Sequence, residues 1–186
     1  MTGNRGKFEE ARLILPRFGI EPRMMDLDVD EPQSDTLEYV SQRTAGSAYG
    51  ILKSPLFVED AGLFIHPLGG FPGVFSSYVF STIGLQGILR LMGGSSDRRA
   101  SFKSVVGFTS TSVHPEVLLF KGEVSGEIAG SPRGTGGFGF DPIFIPEGSN
   151  LTYAEMRAED KSKTSHRARA LESLGSYLSS RPEIIK

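Results

Sequence analysis

Apolar residues recur along this chain with two different periods, and the switches between them outline its elements. After Asn4, the residues Phe8, Ala11, Leu15 and Phe18 keep the spacing of one helical face. Asn4 is suited to cap that helix, and Pro16 predicts its end or a kink. Asp35 followed by Glu38 resembles a capping box, ahead of a second face made by Leu37, Val40, Thr44, Ala48 and Ile51. Leu56-Phe57-Val58 reads as a buried strand and Leu63-Phe64-Ile65 as another. Phe71-Pro72-Gly73 marks a turn, followed by helical patterns over 74–82 and 85–92. The extended runs 100–111 and 117–128 meet around His114-Pro115, which predicts an antiparallel pair. Near the end, Ala168, Leu171, Leu174 and Leu178 return to helical spacing. No repeat or linker interrupts the pattern. It predicts one α/β domain over residues 1–186, with a mixed sheet and flanking helices.

Composition narrows the function classes. The chain has 186 residues, 38% hydrophobic and 23% charged, which suits an enzyme-sized globular domain with a real core. A formal charge of -2 gives no global attraction to nucleic acid or to an anionic membrane, so any polyanion site must be a local cluster. With no cysteine, disulfides and thiolate metal sites are excluded. The sequence shows neither a membrane-length apolar run nor a signal-peptide core, and the expected location is the cytoplasm.

Six short segments carry candidate chemistry. Thr2-Gly3-Asn4 enters a helix with Lys7 in its first turn, where N–H groups and a point charge suit phosphate. The spacing of a P-loop is absent. Glu59-Asp60 closes an apolar run and precedes Ala61-Gly62, an arrangement suited to Mg²⁺ coordination or to activating a water from a loop. If the strand continues through them, the two carboxylates face opposite ways and do different jobs. Glu31, just before the second helix, is a further candidate metal ligand. Gly73-Val74-Phe75-Ser76-Ser77 offers anion contact through N–H groups and the hydroxyls of Ser76 and Ser77. Gly134 through Phe144 contains G-x-G-x-x-G, but Asp141-Pro142 and an apolar run follow where a dinucleotide site needs a helix. It reads instead as a glycine loop that brings a ligand against Phe138 or Phe140, with Asp141 at its rim. Last, Lys161, Lys163, His166, Arg167 and Arg169 form a cationic stretch just before the terminal helical repeat. No serine, cysteine or histidine is paired with a base as a nucleophile, so metal-assisted attack by water fits best. The oxygen-rich acids suit Mg²⁺ or Mn²⁺ and not zinc.

Taken in order, these segments resemble the inosine triphosphate pyrophosphatase family. The resemblance rests on Thr2-Gly3-Asn4 with Lys7 and Glu10, on Glu59-Asp60-Ala61-Gly62-Leu63, on Phe71-Pro72-Gly73-Val74-Phe75-Ser76, on Gly137 through Phe144, and on Ser165-His166-Arg167. It covers nearly the whole chain. The resemblance implies an elongated mixed sheet under a nucleotide-binding cleft between two lobes, and a homodimer. It also implies Mg²⁺-dependent hydrolysis of ITP, dITP and XTP to the monophosphate and pyrophosphate. By motif, Asp60 would be the base or water-orienting carboxylate and a metal ligand, with Glu31 and Glu59 joining the metal set. Thr2, Asn4, Lys7, Ser76 and Lys161 would contact the phosphates. Phe138 would lie against the base with Asp141 beside it, while His166 and Arg167 would read its 6-oxo edge.

Two departures and two rival readings accompany the resemblance. Family members carry a short strand before the Thr-Gly-Asn turn, so residues before Met1 are expected. Arg43 stands where the family often has an active-site lysine; it keeps the charge but cannot donate a proton at neutral pH. The rivals are the septum-associated pyrophosphatases, of related architecture, and a purine-nucleotide-binding regulatory protein without turnover.

Overall fold

A computed structural model describes residues 4–30 and 32–185. Helix α1, Arg5–Ile14, starts at Asn4, whose side-chain oxygen accepts the Lys7 N–H at 3.1 Å. Pro16 falls in a short 3₁₀ turn, Leu15–Phe18, that ends at Gly19 with φ 74°. Helix α2 covers Leu37–Leu52. Its cap is Thr36, which accepts the Tyr39 N–H at 3.4 Å, so the Asp35–Glu38 box does not form. Glu38 instead pairs with Lys121 at 2.6 Å. Ile51, expected on the buried face, is exposed; Ser41, Ala45 and Tyr49 join Leu37, Val40, Thr44 and Ala48 there.

Strand β1 is one element, Leu56–Ile65, running straight through the acidic pair. The expected loop at Glu59-Asp60 is absent because both carboxylates are accommodated within the strand. Strand β2 is the short Pro72–Gly73, antiparallel to β1 with Leu63 opposite Gly73. Helices α3, Ser76–Thr82, and α4, Gly84–Leu91, follow. The long strands β3, Arg99–Thr109, and β4, Leu118–Ile128, precede β5, Phe144–Pro146. The remaining helices are α5, Ala158–Thr164, and α6, His166–Ser179. The sheet order is β2-β1-β3-β4-β5. The α/β class is as expected, and in the described residues the open sheet is antiparallel, a more regular arrangement than a mixed one. Among the described residues no helix is long and apolar enough to cross a membrane.

The chain divides into two compact units. In the first, residues 1–60, 104–122 and 166–186, Phe57 packs with Ala11, Ile14 and Leu15 against Val106, Phe108, Leu171 and Leu174. Leu56 and Val58, pointing the other way, pack with Ala45, Ala48 and Tyr49 of α2. Odd residues of β1 there face α1 and α6; even ones face α2. In the second unit, residues 61–103 and 123–165, Leu63, Ile65, Val79, Ile88, Phe102 and Phe144 build the core. Phe144 packs against Phe102 and Tyr153, with ring centroids 4.7 and 5.2 Å apart.

Candidate active site

The alternation of β1 gives Glu59 and Asp60 different surroundings. Glu59 follows Phe57 to the α1 and α6 side, where its side chain is 5% exposed. Lys7 of α1 reaches its carboxylate at 3.1 Å and donates to its main-chain oxygen at 2.9 Å. Arg167 of α6 lies in ion-pair contact at 3.0 Å, and the Ser104 hydroxyl of β3 donates to it. The second carboxylate on Arg167 is Glu10, which accepts from Nη1 at 2.9 Å. Burial pushes the Glu59 pKa up, but Arg167 and Lys7, then Ser104 and His166, outweigh it and hold the group well below the usual carboxylate range. Burial pulls the Arg167 pKa down, and Glu59 and Glu10 more than reverse it. Asp60, one residue on, takes the α2 side with Val58 and is half-buried.

A separate cluster forms in the second unit around Asp141. Its carboxylate accepts the Phe138 N–H at 2.8 Å and the Lys161 ammonium at 2.7 Å. The same oxygen lies 2.0 Å from where a Gly137 β-carbon would stand, and Gly137 has φ 68°. Glycine is required there twice over, by conformation and by space. Lys161, 7% exposed, sits 5.1 Å from the Phe138 ring centroid and 5.4 Å from that of Tyr153. A cation thus braces the half-buried Phe138 through its ring and, by way of Asp141, through its backbone. Phe140 turns inward and meets Phe80 edge-to-face at 5.4 Å.

Comparison with known proteins gives this arrangement a family. The Ham1 family model matches residues 1–177, which contain every candidate residue named above. The chain belongs to the Ham1 family. It is 52% identical over 171 residues to a protein of Methanopyrus kandleri named dITP/XTP pyrophosphatase, covering 92% of this chain and 90% of that one. A Thermococcus kodakarensis protein of the same name is 47% identical, over 96% of this chain and 95% of its own. Among solved structures, a HAM1 protein from Coxiella burnetii superposes with a TM-score of 0.81 at 31% identity, with 96% of each chain covered.

Within this Ham1-family chain, seven of the expected site residues take part in one of two clusters. Lys7, Glu59 and Arg167, anchored through Asn4 and Glu10, form the buried ion cluster of the first unit. Phe138, Asp141 and Lys161 form the loop of the second. Thr2 and Glu31 lie outside the described residues. Ser76 is buried, and its hydroxyl accepts the Leu63 N–H at 2.8 Å and donates to the Gly73 carbonyl at 2.7 Å, bracing the turn. Arg43 lies on the exposed face of α2. The cationic stretch is divided: α5 ends at Thr164 and α6 begins at His166, with Lys161, His166 and Arg167 buried and Lys163 and Arg169 exposed.

The carboxylates expected at the metal differ in their surroundings. Glu59 is surrounded by two cations and a hydroxyl, which leaves its carboxylate neutralised and a poor ligand for a divalent ion. Among the described residues no group of three or more His, Asp or Glu side chains is gathered to hold a metal. The donors that remain, Asp60 and the expected Glu31, are carboxylates and fit a hard cation that keeps several waters. Sequence reasoning gave no role to Glu10 or Ser104. Glu10 lies three residues after Lys7 on one face of α1, a spacing that signals a shared environment. Ser104 is a buried hydroxyl in an apolar strand, and such a group needs a partner.

Proposed function

We propose that this protein hydrolyses the non-standard purine nucleoside triphosphates ITP, dITP and XTP, releasing the monophosphate and pyrophosphate. The observation that carries the reading is the family match over residues 1–177, joined to 52% identity with a dITP/XTP pyrophosphatase over nearly the full length of both chains. In this reading Asp60 orients or deprotonates the attacking water, since strand alternation turns this half-buried carboxylate away from the side on which Lys7 and Arg167 hold Glu59. Asn4 and Lys7, with Thr2, hold phosphate oxygens at the start of α1. Phe138 stacks on the base beside Asp141, and His166 donates to its 6-oxo edge. Arg167 shares that edge or, as its two carboxylate partners favour, holds Lys7 and Glu59 in place. A bound Mg²⁺ or Mn²⁺, held by Asp60 and Glu31, would supply charge stabilisation at the phosphates. A homodimer in the cytoplasm is the assembly this reading carries, with the exposed rings of Phe75 and Tyr78 as apolar surface for it.

The test is pyrophosphate release. ITP with Mg²⁺ should give IMP and pyrophosphate, EDTA should abolish it, and added Mg²⁺ should restore it. ATP presents an amino group where ITP and XTP present a carbonyl, so donors built for the carbonyl can reject it by up to ~10⁴-fold in kcat/KM. Release of orthophosphate would overturn the bond assignment. ITP binding with no release would turn the reading to a non-catalytic nucleotide-binding protein.

The loop is tested separately by Gly137→Ala. A β-carbon there collides with the Asp141 carboxylate, so the brace on Phe138 should open. KM for ITP is expected to rise by ~10-fold or more, in line with the loss of a charge-assisted hydrogen bond. An unchanged KM in steady-state assays would remove the loop from the binding site.

A further inference from the structure

The geometry points to Gly122 as a positioning residue that sets where α6 begins, and therefore where His166 meets the substrate. The inference rests on the proposed reading of His166. Lys121 and Glu123, on either side of Gly122 in β4, are exposed, while Gly122 itself is buried beneath the first turn of α6. A β-carbon at Gly122 would stand 2.0 Å from the main-chain oxygen of His166, 2.7 Å from the Ala170 nitrogen and 3.0 Å from the Arg169 β-carbon. Two of these three atoms are helix backbone and cannot rotate aside. Gly122 is not among the glycines with positive φ, so the glycine is needed for its missing side chain and not for its conformation. The opening turn of α6 therefore rests directly on the strand.

The same turn carries both Ham1 motif residues. His166 is its first residue, and Arg167, the next, holds Glu10 and Glu59. To accept any side chain at position 122, the His166 oxygen must move from 2.0 Å to the 3.4–4 Å of ordinary contact. A displacement of about 1 Å in a reacting constellation can cost ~10²-fold. Gly122 thus acts on base discrimination without touching the base.

The experiment compares three variants of the full chain, each assayed for kcat/KM on ITP and ATP with Mg²⁺ and for Tm. Gly122→Ala should lower kcat/KM for ITP by ~10²-fold and shrink the ITP-to-ATP ratio. Gly175→Ala is the control, because the atoms nearest its β-carbon would be those of the Phe18 ring, at 2.4 Å, further along the same helix. It should lower Tm and leave the ratio intact. His166→Ala tests the underlying reading: if it leaves the ratio unchanged, the base-reading role fails whatever Gly122 does. If His166→Ala shrinks the ratio while folded Gly122→Ala preserves it, the positioning role of Gly122 is overturned. Should Gly122→Ala not fold, Gly122→Ala with Arg169→Gly removes one of the three clashes and loosens the turn. The ratio in that double variant should still be reduced, and a wild-type ratio there would equally overturn the inference.

Discussion

Asp60→Asn is expected to lower kcat for ITP by ~10²–10⁴-fold, with a much smaller change in KM. The substitution keeps the shape of the side chain and removes its ability to take a proton or carry charge. Strand alternation makes the comparison clean, because Glu59 next door faces the other way into Lys7 and Arg167 and has no freedom to substitute. Glu59→Gln should therefore damage the protein differently, through stability and the placement of Lys7. A near-normal kcat for Asp60→Asn, measured with saturating Mg²⁺, would move the water-handling role elsewhere.

The second large effect is on stability. Arg167→Met leaves Glu59 and Glu10 without their shared cation, and breaking one side of a buried ion pair costs about 3–5 kcal/mol. For a chain of this length that lowers Tm by roughly 10 °C. Calorimetry on Arg167→Met, Glu59→Gln and the double variant checks it; the double variant should recover part of the loss, since only Glu10 is then left without Arg167. The pH dependence follows from the direction of the Glu59 shift. Its pKa in the folded protein is depressed, so its contribution is complete above the ordinary carboxylate pKa of about 4.3 and is lost as pH falls below it. Glu59→Gln should flatten the acid limb of the stability curve between about pH 5 and pH 3. An equally steep limb in that variant, or a Tm within a degree or two of wild type for Arg167→Met, would show that the cluster is more solvated than its geometry indicates.

Much of this could be read from the residues because local rules acted without competition. Asn4 capped α1, Pro16 ended it, and the run from Ala168 to Leu178 gave α6 its buried face. The misreadings share a cause, which is polarity that finds a partner far away in the chain. Glu59-Asp60 looked like a loop because two adjacent acids are costly inside a strand, yet Lys7 and Arg167, remote in sequence, neutralise one of them. The stretch after Lys161 showed its charges but not their partners for the same reason, since its counter-charges, Asp141 for Lys161 and Glu10 with Glu59 for Arg167, come from distant segments. At Asp35-Thr36 the error was one residue, with two capping side chains in succession and only the backbone deciding between them. The glycines of the Phe138 loop announced a special backbone, but not that Gly137 makes room for a carboxylate.

The passage of β1 through the two acids also places a constraint on length as distinct from composition. Individual side chains between Leu56 and Asp60 can be exchanged with graded penalties, because each occupies its own environment. A single inserted or deleted residue in that stretch is another matter, for it would exchange the two sides of everything downstream. Glu59 would then confront α2 without a cation, and Asp60 would arrive among Lys7 and Arg167. Descendants of this chain are therefore free to vary in the connections on either side of the strand, while insertions and deletions within it are closed to them.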